Sequence, residues 1–190
     1  MTEEKRQKPA CKEKKVIAKT KLFTIEQLHL HFSNGEERIY ERVGGHNEGG
    51  AVLIVAVTAN NSLLLIREYG AGIDDYTLAF PKGIIEPGEE AIIAANRELQ
   101  EEVGFAAKEL YWLKSVSLSP GYFKAHTELV LARNLYPSSL MGDEPEPIEV
   151  VEWPLAEYNE LINNPSFSEA RSIAALFLVK QWLEKEKKND

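Results

Sequence analysis

The chain has 190 residues, is 44% hydrophobic and carries a net charge of −8. This length predicts one domain with at most a small appendage, and the apolar fraction is enough for a sizeable core. The acidic balance argues against nucleic-acid or membrane-surface binding. A single cysteine, Cys11, excludes an internal disulfide and a multi-cysteine metal site. Because no apolar run approaches the roughly 18 residues of a membrane span, we expect a cytoplasmic protein.

The N-terminal part of the chain differs in charge from the rest. Its first 21 residues carry eight Lys and Arg against three Glu, which predicts a disordered basic tail over residues 1–15. Strand-like composition over Val16–Phe32, followed by the turn sequence Asn34-Gly35, predicts an antiparallel β layer over residues 16–45. The main domain is then expected over residues 46–190.

Apolar strands open the main domain. Ala51–Thr58 is almost entirely apolar, which predicts a central strand buried on both faces. A loop rich in glycine and proline, Pro81–Gly88, precedes a helix that the apolar spacing predicts over Glu89–Val103. Other strands are predicted at Ser62–Tyr69, Tyr76–Phe80, Leu110–Leu118 and Glu128–Leu135 and near Trp153, and helices at Leu155–Asn163 and Ser168–Glu186. This order predicts an α+β fold, an α/β/α sandwich with a mixed sheet between helices.

Three glutamates crowd the end of the predicted helix. Glu98 and Glu102 repel each other across one turn, and the helix dipole disfavours negative charge at this end. At about 100° per residue, Glu98, Glu101 and Glu102 lie on one arc, and Arg97 can pair with Glu101. Carboxylates beside loop carbonyls suit Mg²⁺ or Mn²⁺, which would relieve the repulsion. The alternative interpretation is a solvated acidic helix face.

The spacing around these glutamates is specific. Gly83, Glu89, Arg97-Glu98-Leu99, Glu101-Glu102 and Gly104-Phe105 match every fixed position of the Nudix box. The chain therefore resembles the Nudix hydrolases, which cleave a nucleoside diphosphate linked to another group. The resemblance implies a Nudix fold with Glu98 and Glu102 as metal ligands and Glu101 assisting. It also implies that the Lys82 carbonyl completes the metal shell, while Arg97 and Glu89 orient the carboxylates.

Longer stretches extend the resemblance from about Lys19 to Leu183, nearest to the branch of NudE-type ADP compounds hydrolases. They are KLFTIEQLHLHFSNGEERIYERV, LLIREYGAGIDDYTLAFPKG, AANRELQEEVGF, GDEPEP, WPLAE and EARSIAALFLVKQWL. This branch is similar to ADP-ribose diphosphatases. The resemblance implies hydrolysis of ADP-ribose, NADH and diadenosine polyphosphates with release of AMP. It also implies a homodimer whose shared N-terminal β layer contributes to the adenine site.

The same resemblance gives further residues candidate roles. Glu144 occupies the place of the loop glutamate that acts as base, and Glu146 is the second choice. Phe23 and Tyr40 match aromatic positions that stack on adenine, and Arg67 could meet phosphate. The alternatives are a solvated acidic loop, packing of the two aromatic rings, and an exposed arginine at a strand end.

Two other functions fit the same motif. The chain could hydrolyse nucleoside triphosphates or RNA 5′ ends with release of pyrophosphate, or it could be a non-catalytic nucleotide-sensing module. The chain departs from the ADP-ribose pattern at Gly70, at Ala79 and over Tyr122–Ala125, which predicts a looser specificity for ADP-linked compounds.

Overall fold

The structure is a computed structural model that describes residues 6–45, 50–142, 144–186 and 188. Backbone contacts divide the chain into two compact units. The first comprises Met1–Glu48 with Ser117–Ala125, and the second comprises Gly49–Val116 with His126–Asp190. The predicted boundary between residues 45 and 46 therefore lies close to the first change of unit. The sequence prediction, however, placed Ser117–Ala125 in the main domain, whereas the structure groups this segment with the N-terminal unit.

The N-terminal unit is built on a three-stranded antiparallel sheet of β1 (Ala10–Lys19), β2 (Phe23–His31) and β3 (Glu37–Gly45). The middle strand, β2, pairs with both neighbours. The β2–β3 connection has the predicted turn chemistry, because the Asn34 side chain accepts the Glu36 N–H and Gly35 adopts a φ of 88°. The predicted antiparallel β layer is present.

The prediction of a disordered tail over residues 1–15 is wrong for residues 10–15, which belong to β1; residues 1–5 lie outside the described part. Charge composition alone favoured a solvated tail, whereas a ladder of backbone pairs to β2 orders these residues. Opposite charges add to it: Glu26 on β2 binds Lys14 at 3.1 Å and Arg42 at 2.7 Å. Arg42 chiefly, with Lys14, lowers the pKa of Glu26. The lysine-rich strand β1 therefore forms an ion pair with a carboxylate on the neighbouring strand β2.

The main unit contains a seven-stranded mixed sheet. Its strands are β4 (Ala51–Val57), β5 (Ser62–Gly70), β6 (Asp75–Ala79), β7 (Lys82–Ile84), β8 (Phe105–Ser117), β9 (His126–Pro137) and β10 (Glu149–Pro154). The order is β10-β5-β4-β9-β8, with β6 paired to β5 and β7 paired to β4. The β4–β9 pair is parallel, while β5 is antiparallel to β4, β6 and β10. The short strand β7 lies inside the segment predicted as a loop.

Helices cover both faces of this sheet. They are α1 (Ala91–Glu102), α2 (Tyr158–Asn163), which follows a 3-10 turn at Leu155–Glu157, and α3 (Ala170–Glu186). Alternate residues of β4 enter two separate clusters. Val52, Ile54 and Ala56 share a cluster with residues of α1, whereas Leu53, Val55 and Val57 share one with residues of α2 and α3. The predicted α/β/α sandwich is confirmed. No helix in the described ranges is long and apolar enough to cross a membrane.

The N-terminal end of α3 fixes the end of β6. The Leu78 N–H donates to the Ser166 carbonyl at 2.8 Å, and the Phe80 N–H donates to the Ser172 hydroxyl at 3.2 Å. Ser172 is fully buried, and its hydroxyl donates to Glu169 at 2.9 Å. These bonds satisfy buried backbone groups on an open strand edge. They hold the chain at Phe80, immediately before the segment that forms one wall of the candidate site.

Candidate active site

Helix α1 places the predicted acidic residues at its C-terminal end. Ala95 and Leu99 are fully buried against the sheet, so their spacing fixes the rotation of the helix. The helix ends where Gly104 adopts a φ of 78°, a conformation that glycine takes without strain. Glu98 and Glu102 are also buried, at 8% and 7% exposure. The acidic group is therefore not the solvated helix face of the alternative interpretation.

Arg97 binds three of the glutamates together. It makes a bidentate pair with Glu89, from Nε to Oε1 and from Nη2 to Oε2, both at 3.0 Å. Its Nη1 donates to Glu98 at 2.7 Å and to Glu101 at 2.9 Å. Its Nη2 also donates to the Ile84 carbonyl at 2.8 Å. One guanidinium thus joins α1 to β7 and to the loop before the helix.

Burial and pairing move the pKa values of these carboxyls in opposite directions. The Arg97 hydrogen bonds hold the pKa of Glu89 below its ordinary value. For Glu98, burial outweighs the Arg97 contact and raises the pKa. Burial raises the pKa of Glu102 to about 8, although the Lys82 N–H donates to it at 2.8 Å. Near neutral pH, Glu102 therefore holds its proton in the absence of a further positive charge.

Strand β7 turns backbone groups towards these carboxylates. The Ile54 N–H donates to the Pro81 carbonyl at 2.8 Å, which makes these two residues a hydrogen-bonded pair. In an antiparallel ladder such pairs alternate, so the N–H and C=O of Lys82 point away from β4. The N–H reaches Glu102, and the C=O is directed to the same side. This orientation is the one that the predicted role of the Lys82 carbonyl requires.

Gly83 is required by the approach of Glu98. A Cβ atom at this position would overlap the Glu98 carboxyl group. Because that carboxyl packs directly on the backbone of β7, a larger residue would displace either the strand or Glu98. The first glycine of the motif therefore keeps a carboxylate close to the β7 backbone.

A cavity of about 500 Å³ lies at the C-terminal end of α1. Its wall includes Glu101 and Glu102 from the helix and Glu144 and Glu146 from the loop before β10. The structure thus brings the predicted base and its alternative beside the acidic helix end. The Tyr76 hydroxyl donates to Glu146 at 2.7 Å, and this hydrogen bond raises the pKa of Tyr76.

The predicted substrate contacts are divided between the two units. Arg67 donates from Nε to Glu149 at 3.1 Å, across β5 and β10. In the N-terminal sheet, Phe23 pairs with Gly45 whereas Tyr40 pairs with Leu28. Five positions on β2 separate Phe23 from Leu28, so the two rings lie on opposite faces and about 17 Å apart along the strand. Within one chain they cannot stack on the same adenine.

The donor set fits a divalent cation. Among the described residues no three His, Cys, Asp or Glu side chains converge on one point, and Arg97 binds oxygens of both Glu98 and Glu101. The site nevertheless offers hard oxygen donors, namely two buried carboxyls and an outward-facing carbonyl. The raised pKa values of both carboxyls indicate that the surrounding positive charge is too small to keep them ionised easily. Such a group suits a hard divalent cation, whose binding would displace the proton that Glu102 holds near neutral pH.

Sequence reasoning missed two supporting residues. Glu68 on β5 pairs with the Lys82 ammonium group and so fixes the side chain of Lys82 on β7. Tyr76 binds a carboxylate 70 residues further along the chain. Neither contact has a local sequence signal, because both depend on the pairing of β5 with β6 and on the return of the chain before β10.

Comparison with known proteins gives consistent matches. Residues 9–42 match the NudE-type Nudix hydrolase N-terminal domain, and residues 48–177 match the NUDIX domain. The chain is 50% identical to the ADP compounds hydrolase NudE of Escherichia coli K12, over 93% of this chain and 94% of that protein. It is 29% identical to an ADP-ribose pyrophosphatase of Bacillus subtilis, over 86% and 91% of the two chains. A crystal structure of an ADP compounds hydrolase superposes with a TM-score of 0.88 at 48% identity, covering 95% of this chain and 97% of the other.

The raised pKa of Glu102 predicts a pH-dependent stability of the metal-free protein. The folded pKa of about 8 exceeds the ordinary value of 4.5, so the folded state retains a proton that the unfolded state loses as pH rises. The free energy of unfolding therefore falls from pH 5 to pH 8, by at least about 1 kcal/mol, and Glu102→Gln flattens the profile.

Urea unfolding in EDTA, measured at half-unit steps from pH 5 to pH 8.5, checks this prediction. Glu184→Gln, which removes an exposed carboxylate on α3, should keep the slope of the original chain. A profile that rises or stays flat in the original chain between pH 5 and pH 8 would contradict the burial of a protonated Glu102.

Proposed function

This chain belongs to the Nudix family, and we propose how its acidic site hydrolyses the pyrophosphate bond of ADP-linked compounds. It is a Nudix ADP-compound diphosphatase with a NudE-type N-terminal domain. The main support for this mechanism is that Glu101 and Glu102 of α1 and Glu144 of the loop before β10 line the same cavity. Carboxylates that could hold a cation and a carboxylate that could take a proton are thereby within one site.

Nudix hydrolases generally need divalent metal ions, and we assign the ion here as Mg²⁺ or Mn²⁺. Glu98 and Glu102 would hold it, with Glu101 assisting and the Lys82 carbonyl as a backbone ligand. When bound, the ion neutralises charge on the phosphate oxygens and on the attacking water. The Arg97 contacts to Glu89, Glu98 and Glu101 keep these side chains in one orientation before the ion binds.

Glu144 is the proposed general base. Its carboxylate accepts a proton from the water that attacks one phosphorus atom in line with the bridging oxygen. A bond forms between the water oxygen and phosphorus, and the bond from phosphorus to the bridging oxygen breaks. The products are AMP and a second phosphorylated compound that carries the bridging oxygen. Glu146 is the alternative base, but its Oε1 already accepts the Tyr76 hydroxyl.

The substrate contacts follow from the same proposal. Phe23 and Tyr40 are proposed adenine contacts, and their opposite faces allow each ring in a chain to serve a different adenine. Arg67 is a proposed phosphate contact; a phosphate would then replace Glu149 as its partner. ADP-ribose, NADH and diadenosine polyphosphates are the proposed substrates, and a cytoplasmic location is proposed with them.

The N-terminal sheet is the proposed dimer interface. The sheet and its β1–β2 turn expose several large apolar side chains to 45% or more, namely Val16, Ile17, Leu22, Phe23, Ile39 and Tyr40. Phe23 and Ile39 lie on one face of the sheet and Tyr40 on the other, so both faces carry exposed apolar groups, which favours contact with another protein. A second copy of the chain is the proposed partner.

The activity proposal predicts AMP release that depends on a divalent ion. ADP-ribose, NADH and diadenosine triphosphate should each give AMP, and EDTA should abolish turnover. Glu98→Gln should lower kcat at least about 100-fold because a charged ligand is lost. Glu144→Gln should lower kcat by about 10²–10⁴-fold because the base is lost. Product analysis by chromatography, with Glu184→Gln as the control, measures these effects.

The products also decide between this proposal and its alternatives. Pyrophosphate release from nucleoside triphosphates or from the 5′-triphosphate end of RNA, at rates above those for ADP-linked compounds, would support the alternative hydrolase. Tight nucleotide binding with no turnover in Mg²⁺ and in Mn²⁺ would support a sensing module. If Glu98→Gln keeps kcat within twofold of the original chain, the metal assignment is wrong.

The dimer proposal predicts a mass of about twice the 21.4 kDa chain. Ile39→Lys should shift the protein to the mass of a single chain, because an ammonium group would enter an apolar interface. Phe177→Lys is a matched control, since Phe177 is a 51% exposed apolar residue on α3, in the other unit. Light scattering during gel filtration measures both masses. A single-chain mass for the unaltered protein at micromolar concentration would exclude the dimer.

A further inference from the structure

Two tyrosines face each other across β5 and β6. Tyr69 and Tyr76 are direct cross-strand partners, with ring centroids 5.7 Å apart and planes at 65°. Each hydroxyl donates to a carboxylate at 2.7 Å, Tyr69 to Asp74 within the hairpin and Tyr76 to Glu146. The rings are 47% and 45% exposed. Only the second bond reaches the wall of the catalytic cavity.

The Tyr76 bond acts on the segment that carries the proposed base. Glu144 and Glu146 are two residues apart and both line the cavity with Glu101 and Glu102. Pro145 and Pro147 flank Glu146, and each proline ring fixes its own φ. The backbone between Glu144 and Glu146 therefore has little conformational freedom. A contact that holds Glu146 in place also restricts where Glu144 can lie. The other end of the bond is a residue on a paired strand of the sheet, which supplies a rigid anchor.

We propose that Tyr76 is a positioning residue that holds Glu146 and thereby places Glu144 beside the end of α1. This inference rests on the proposed function and assigns different roles to the two loop carboxylates. Glu146 anchors the loop, and Glu144 accepts the proton of the attacking water. The hydrogen bond to Glu146 raises the pKa of Tyr76, which favours the protonated phenol that donates this bond.

Tyr76→Phe removes the hydroxyl and keeps the ring. We expect kcat for ADP-ribose to fall by about fivefold or more, with KM within twofold, because the base is misplaced while substrate binding is kept. Tyr69→Phe is a matched control, since it removes an equivalent hydroxyl that binds within its own hairpin. Its kcat should stay within twofold of the original chain. Equal kcat in both variants would overturn the inference.

A double-mutant cycle separates positioning from general destabilisation. Glu146→Ala should lower kcat as Tyr76→Phe does, and the double variant should be no slower than the slower single variant, since both remove one interaction. Melting temperatures should stay within about 2 °C because the bond is on the surface. Additive losses in kcat, or losses that follow the melting temperature, would contradict a shared positioning role.

Hydrogen exchange gives a readout that does not depend on turnover. The backbone amides of Glu144, Glu146 and Ile148 should exchange several-fold faster in Tyr76→Phe and at the original rate in Tyr69→Phe. If the chain cleaves no ADP-linked compound but this difference is present, the proposed function fails and the loop anchor stands. If the chain releases AMP normally and Tyr76→Phe changes neither exchange nor kcat, the anchor fails and the proposed function stands.

Discussion

The pairing of Arg97 with three glutamates is the interaction on which the site depends. One guanidinium joins Glu89, Glu98 and Glu101 and also reaches the Ile84 carbonyl. A buried carboxylate without a partner is costly, so this pairing allows the helix to carry its acidic end inside the fold. One positive charge among these groups is not sufficient, however, because burial still raises the pKa values of Glu98 and Glu102. A divalent cation would supply the positive charge that these carboxylates still lack.

The fold places a strand and a loop around that acidic helix end. Ser172 holds the backbone at Phe80, and the next residues enter β7, where the ladder with β4 turns the Lys82 backbone towards Glu102. The loop before β10 brings Glu144 into the lining of the same cavity. Core packing on both faces of the sheet keeps these segments in register, so the site is assembled from parts that are distant in sequence but rigid in space.

Local spacing made much of this predictable. Arg97, Glu98, Glu101 and Glu102 lie within two helical turns, so their common location follows from helix geometry and needs no tertiary information. The strand Ala51–Val57 was evident from its continuous run of apolar residues. Contacts between distant segments were not predictable: Arg67 meets Glu149 from 82 residues away. The faces of Phe23 and Tyr40 depend on strand register, which neither residue determines alone.

Proton release on metal binding tests the central claim most directly. Calorimetric titration of the protein with Mn²⁺ at pH 7, in buffers of different ionisation enthalpy, counts the protons displaced. We expect about one proton released per chain at pH 7, decreasing as the pH rises through about 8, with the release lost in Glu102→Gln. Mn²⁺ binding that releases no proton at pH 7, or that is unchanged in affinity and proton count by Glu102→Gln, would contradict a site built on a buried, protonated Glu102.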